Sequence, residues 1–161
     1  MPSSSIDDEL DLPDLLSPWR LIAPHVAEIV HRRRASRTWW VESDQGRFVA
    51  KLAFDRRPFV EPGLRVAAEV ARMGIATGPP VPTDKGEVCV QVDGAAGAPW
   101  TLALLTPVAG EPLSPSWPRA DEIAGDLLGR VHSFLGESSR RDWVPADLLA
   151  WSGSLRRANE E

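Results

Sequence analysis

Residues 47–54 have the pattern of a strand that is covered on both sides. Successive side chains of a strand point to opposite faces, so Val49, Lys51 and Ala53 share one face. The other face carries Phe48, Ala50, Leu52 and Phe54. Every residue after the opening arginine except Lys51 is apolar, which predicts that the strand is largely buried.

Five strand patterns and three helix patterns occur along the chain. The strands are predicted at residues 25–32, 38–42, 47–54, 88–92 and 100–105, with a hairpin turn at 44–46. The helices are predicted at residues 60–73, 119–135 and 146–159. Residues 1–18 are acidic and rich in serine and proline, which predicts a flexible or loosely docked segment.

Lys51 is the candidate for binding chemistry, because a covered ammonium needs an anionic partner or a ligand. The chain has sixteen arginines and only two lysines, so lysine is rarely chosen where any positive charge would serve. A compact ammonium is suited to phosphate, whereas arginine offers a planar fork. The alternative is a lysine whose stem lies along the sheet while its ammonium reaches water.

The helix at residues 60–73 carries a carboxylate that could pair with this lysine. Pro62 is typical of a first turn, and Gly74 of a C-terminal stop. Glu69 lies at the edge of the apolar stripe of this helix, which predicts an ion pair with Lys51. The alternative is a solvated Glu69 that pairs with Arg65 or Arg72 on its own helix.

Composition narrows the class of protein. The chain has 161 residues, 43% of them hydrophobic and 25% charged, as in a globular domain. The net charge of −5 argues against a nucleic-acid partner. No apolar run approaches the roughly 20 residues of a membrane span. The lone Cys89 provides no disulfide framework, and the scattered histidines show no metal-ligand spacing. We therefore expect a cytoplasmic protein.

The order of a strand lysine, a helix glutamate and a later strand with a short linker resembles the nucleotide-binding lobe of protein-kinase-like enzymes. The aminoglycoside phosphotransferase and choline kinase-like group is the most similar. Residues 37–51 are similar to its second strand, turn and third strand, and residues 74–82 to the segment after its glutamate helix. Residues 101–113 resemble its fifth strand and hinge, and residues 125–135 the helix that opens its second lobe.

This resemblance implies an α+β fold: a five-stranded antiparallel sheet with one packed helix, followed by helices that open a C-terminal lobe. It implies a flexible segment at 1–18, a kinase-like N-terminal lobe and hinge at 19–113, and the start of an incomplete helical lobe at 114–161. The cofactor that it implies is ATP.

The resemblance also assigns roles to residues. Lys51 would bind the α- and β-phosphates, Glu69 would orient Lys51, and Ser36 would offer a hydroxyl and an amide to phosphate. Backbone groups of the hinge would contact adenine, and the hinge consists of Thr106, Pro107 and Val108. The alternatives are a solvated basic turn around Ser36, which lacks the glycine expected there, and an ordinary strand exit broken by Pro107.

Phosphoryl transfer also needs a positioned aspartate and ligands for Mg²⁺. In the similar family these come from a His-Gly-Asp-x-x-x-x-Asn loop and a later aspartate. Gly125-Asp126 is the one lookalike in this chain, but Ala124 replaces the histidine and the apolar spacing around it predicts a helix. We therefore predict no catalytic residue and no metal ligand here, and expect Mg²⁺ only in a complete enzyme.

The sequence thus leads to two hypotheses. The first is the nucleotide-binding N-terminal part of an ATP-dependent small-molecule phosphotransferase, which would bind its acceptor only if the missing lobe is present. The second is a non-catalytic nucleotide-binding or protein-interaction module. Exposed apolar surface on the last helices, together with self-association, would indicate a fragment without its other half.

Overall fold

The structure, a computed structural model, describes residues 12–33, 36–54, 57–93, 99–111 and 113–137. The strands are β1 at His25–Arg33, β2 at Ser36–Ser43, β3 at Gly46–Phe54, β4 at Val90–Asp93 and β5 at Pro99–Leu105. The helices are α1 at Leu12–Leu15, a 3-10 helix at Ser17–Trp19, α2 at Arg57–Arg72 and α3 at Ala120–Glu137. The five predicted strands and the first two predicted helices are confirmed. The helix predicted at 146–159 lies outside the described residues.

The five strands form one antiparallel sheet in the order β1-β2-β3-β5-β4. β3 lies in the centre, between β2 and β5, which agrees with its nearly continuous apolar pattern. This is the predicted α+β architecture, and it is confirmed.

One face of the sheet carries the main hydrophobic core. Its buried residues are Leu12, Leu16, Trp19, Trp39, Val41, Ala50, Leu52, Trp100, Leu102 and Leu104. The strand members of this core alternate with residues of the opposite face, as the period of two requires. The first three come from α1, the residue after it and the 3-10 helix, so the N-terminal segment covers this face of the sheet.

The prediction of a flexible or loosely docked segment at 1–18 is therefore wrong for residues 12–18. Leu12 is only 4% exposed and Leu16 only 1%. The Trp19 indole N–H donates a hydrogen bond to the Val81 carbonyl at 2.7 Å, and the Asp84 N–H bonds the Pro18 carbonyl at 3.0 Å. The prediction relied on the overall serine- and proline-rich composition, although Leu12 and Leu16 are apolar and lie at helical spacing. Composition alone also cannot show that a sheet surface is present for these residues to cover.

α2 lies on the opposite face of the sheet. It contacts β5, but none of its residues whose burial the structure describes belongs to the main core. Val70 of α2 is buried, and so are Thr101 and Ala103, the β5 residues that point away from that core. α2 begins three residues earlier than predicted and contains Pro62 in its interior, so treating this proline as a first-turn signal placed the start too late.

The segment after α2 returns the chain to the end of β5. Gly74 has a φ of +81°, as expected of the residue that stops a helix, and its N–H donates to the Ala71 carbonyl. The Val81 N–H donates to the Leu104 carbonyl at 2.8 Å, and the Thr106 N–H donates to the Pro79 carbonyl at 2.9 Å. These bonds hold the exit of β5 in place.

α3 follows the exit of β5 and exposes apolar side chains. Ile123 is 51% exposed, Leu127 43%, Leu128 57% and Leu135 38%. No helix in the described ranges has the length and apolar character that crossing a membrane requires.

Candidate functional site

Lys51 projects from the centre of the sheet on the face that also carries α2. Its cross-strand neighbours are Thr38 on β2 and Ala103 on β5. Ala103 and Ala53 are buried, but the Lys51 side chain is exposed. The expectation of a covered ammonium is therefore wrong, and the structure agrees with the alternative, a lysine whose ammonium reaches water. The alternation of the strand assigned the correct face, but it could not show that α2 leaves the position above Lys51 open to solvent.

The sheet register arranges the predicted nucleotide contacts along this face. Three rows of cross-strand neighbours run from the hinge outwards: Leu105, Val49 and Trp40; then Ala103, Lys51 and Thr38; then Thr101, Ala53 and Ser36. Successive rows are about 7 Å apart, because each is two residues along the strand. The hinge follows Leu105 directly, so Lys51 lies one row from the hinge end and Ser36 lies two rows from it.

Glu69 is not the ion-pair partner of Lys51 in this structure. Its carboxylate forms a salt bridge with Arg72, three residues later on α2. No salt bridge joins Glu69 to Lys51 within the described residues, although Lys51 lies on the face of the sheet that carries α2. Because the Arg72 side chain is 68% exposed, the pair with Glu69 is of the surface kind, which contributes at most about 1 kcal/mol.

The hinge residues Thr106, Pro107 and Val108 follow β5 directly and have no regular secondary structure. The Thr106 N–H is used in the bond to Pro79, and Val108 is 48% exposed. Gly78 has a φ of +63°, and a Cβ at this position would lie 3.1 Å from the Thr106 carbonyl oxygen. Since a side chain would crowd that oxygen, the close approach of residues 74–79 to the hinge depends on glycine.

A cavity of about 380 Å³ lies beside the hinge, lined by residues 74–79 together with Ala71, Pro107, Val108 and Ala109. Neither Lys51 nor Val49 lines it. The cavity therefore adjoins the end of α2 and the hinge, and is separate from the part of the sheet face that carries Lys51.

The family of the chain follows from its match to a family model. A family model described as "Phosphotransferase enzyme family" matches residues 26–161, which is most of the chain. The chain belongs to the phosphotransferase enzyme family. The resemblance found in the sequence is thus confirmed. The comparison with curated proteins found no match.

A solved structure shares the fold of this phosphotransferase-family chain. It is an amicoumacin kinase, hAmiN, in complex with AMP-PNP, Ca²⁺ and Ami, with a TM-score of 0.65 and 14% sequence identity. The match covers 84% of this chain and 43% of the kinase, so the matched part of the chain spans less than half the length of that kinase. At this identity the likeness shows the fold alone, and it agrees with a kinase-like N-terminal lobe.

A further sequence prediction can be compared with the structure. Asp126 lies inside α3, as predicted, and not in a loop. It lines a cavity of about 480 Å³ with Met73, Ile75, Gly129, Arg130, Ser133 and Phe134. The described part of the chain contains no group of three or more histidine, cysteine, aspartate or glutamate side chains that could hold a metal ion.

Ser36 is the first residue of β2, and its backbone pairs with Arg33 and Ala53. The turn residues 34 and 35 lie outside the described residues, so the phosphate-binding role of this turn stays a prediction. The adjacent pair Trp39 and Trp40 divides between the two faces as predicted: Trp39 is 7% exposed in the core, whereas Trp40 is half-buried on the Lys51 face.

Proposed function

We propose that this chain is the nucleotide-binding N-terminal part of an ATP-dependent small-molecule phosphotransferase. The observation that carries the proposal is the position of Lys51, an exposed cation on a largely apolar sheet face, one row of residues away from the hinge end. A nucleotide lying along this face would place its base near Thr106, Pro107 and Val108 and its phosphates near Lys51. Family membership and the kinase-like fold support the same placement.

The ammonium of Lys51 is well suited to bind the α- and β-phosphates. It is a compact charge with three donors, and its exposure leaves it accessible to a ligand from solvent. Ser36, one row further from the hinge, would meet the outer phosphates with its hydroxyl, since its backbone pairs within the sheet. Because Lys51 is exposed, water hydrates its ammonium in the free protein. The lysine therefore needs no buried anionic partner before phosphate binds.

Glu69 would act as a positioning residue that orients Lys51 once nucleotide is bound. This role requires the carboxylate to exchange Arg72 for Lys51. The surface pair with Arg72 is weak, at most about 1 kcal/mol, so the loss of that pair has a low cost.

Phosphoryl transfer in such enzymes uses Mg²⁺ to neutralise the charge that develops on the phosphates. The described residues contain no group of three histidine, cysteine, aspartate or glutamate side chains that could hold a metal ion, so none of them is proposed as a ligand of Mg²⁺. The acceptor is likewise not assigned to these residues. The exposed apolar residues of α3 support the view that further polypeptide packs on this helix to complete the acceptor side.

Isothermal titration calorimetry with ATP and Mg²⁺ tests the proposal on the full 161-residue chain. Lys51→Ala should weaken binding by roughly 10- to 100-fold, the range expected for a charge-assisted hydrogen bond. Lys85→Ala is the matched control, because Lys85 is the other lysine of the chain and lies in an exposed turn away from this face. The absence of binding by the folded wild-type chain, or equal effects of the two substitutions, would refute the proposal.

A further inference from the structure

Trp40 is a large aromatic side chain on the Lys51 face that the main core does not use. It is half-buried, whereas its neighbour Trp39 is 7% exposed within the core on the other face. Indole rings on a sheet usually complete a core. Here the ring lies on the face that carries the exposed lysine, so it offers apolar surface where a ligand can reach it.

An arginine stacks on the Trp40 ring. The Arg47 guanidinium carbon lies 4.1 Å from the ring centroid, in cation–π geometry. The Arg47 Nε also lies 3.7 Å from a Glu42 carboxylate oxygen, and the other oxygen of Glu42 lies 3.6 Å from His25 Nε2. Arg47 is thus held between Glu42 and the indole, which restricts the rotation of the ring.

The register places Trp40 where a base would lie. Trp40 faces Val49 across β2 and β3, in the row nearest the hinge, and the Lys51 row follows about 7 Å further on. In a nucleotide, one ribose separates the base from the α-phosphate, a span comparable with this row spacing. A nucleotide with its phosphates on Lys51 therefore brings its base towards Trp40, Val49 and the hinge.

We propose that Trp40, held in place by Arg47, stacks on the base of the bound nucleotide. The inference rests on the proposed function and deepens it, by assigning the base end of the site to an aromatic residue of β2. Base–aromatic stacking is a strong contribution that tolerates different bases, so backbone groups of the hinge are left to discriminate between them.

The test compares two ligands by calorimetry, ATP with Mg²⁺ and inorganic tripolyphosphate with Mg²⁺. Tripolyphosphate carries the phosphates but no base. Trp40→Leu should weaken ATP binding about tenfold, the lower part of the range for loss of one stacked base, and should leave tripolyphosphate binding unchanged. Trp40→Phe, which keeps an aromatic ring, should retain most of the ATP affinity. Arg47→Gln should weaken ATP binding by about two- to fivefold, because the ring is no longer held.

Trp117→Leu is the matched control, since Trp117 is 40% exposed and lies before α3, outside the sheet. Circular dichroism would establish that each variant is folded. Unchanged ATP affinity in Trp40→Leu would overturn the inference. An equal loss of affinity for ATP and tripolyphosphate would also overturn it, because loss of a ring that only supports the sheet would weaken the binding of both ligands. If the wild-type chain does not bind ATP, the proposed function itself is refuted. If the wild-type chain binds ATP and Trp40→Leu binds it equally well, only the role of Trp40 is refuted.

Discussion

Leu16 links the N-terminal segment to the sheet, and its truncation should destabilise the whole lobe. The side chain is 1% exposed and belongs to the core formed with β2, β3 and β5. Leu16→Ala would leave a cavity between the segment and the sheet, because hydrogen bonds of the residues just after it, Trp19 to Val81 and Asp84 to Pro18, hold the segment in place. The structure thus predicts a large effect from a residue in a stretch whose composition predicts flexibility.

The magnitude follows from the burial of the side chain. Truncation of a fully buried leucine to alanine typically lowers the free energy of unfolding by about 2–5 kcal/mol. A loss of about 3 kcal/mol corresponds to a fall in Tm of about 6–12 °C for a domain of this size. A segment that is only loosely docked would lose less than about 0.5 kcal/mol.

Urea and thermal unfolding followed by far-UV circular dichroism would measure this loss. Ile22→Ala is the matched control, because Ile22 is 57% exposed and lies only six residues further along the chain. We expect the control to change stability by less than about 0.5 kcal/mol. A loss below about 1 kcal/mol in Leu16→Ala, or equal losses in the two variants, would show that the segment does not form part of the core.

Two further predictions concern the hinge and α2. Gly78→Ala should lower the free energy of unfolding by about 1–2 kcal/mol, because its φ is +63° and the added Cβ would lie 3.1 Å from the Thr106 carbonyl oxygen. Gly125→Ala, in α3 with open space around the new Cβ, should instead be neutral or stabilising, so equal losses in unfolding experiments would contradict the argument. Glu69→Gln should weaken ATP binding by about three- to tenfold in calorimetry, since it removes the charge proposed to orient the lysine. Glu61→Gln, which alters a similar surface pair on α2, should have no effect, and a Glu69→Gln variant with unchanged affinity would exclude the positioning role.

Local patterns of the chain were sufficient to predict the strands and the faces of their residues. The division of Trp39 and Trp40 between opposite faces, and the placement of Ala50 and Leu52 in the core, follow from the period of two in a strand. The end of β5 was predicted in the same way, from Pro107 after an apolar run, whereas the hinge was assigned only by the resemblance to the family. Alternation and chain breaking are properties of neighbouring residues, so they can be inferred without knowledge of the rest of the fold.

The surroundings of each candidate residue depended on distant parts of the chain. Lys51 is exposed because α2 does not cover its position, and Glu69 forms its salt bridge with Arg72 on its own helix. The alignment of Ser36, Lys51 and Trp40 on one face required the register of β2 against β3, which no single strand pattern contains. Leu16 is buried because a sheet formed by residues far along the chain lies against it. A local pattern specifies which way a side chain points, whereas burial and pairing depend on what the folded chain places in front of it.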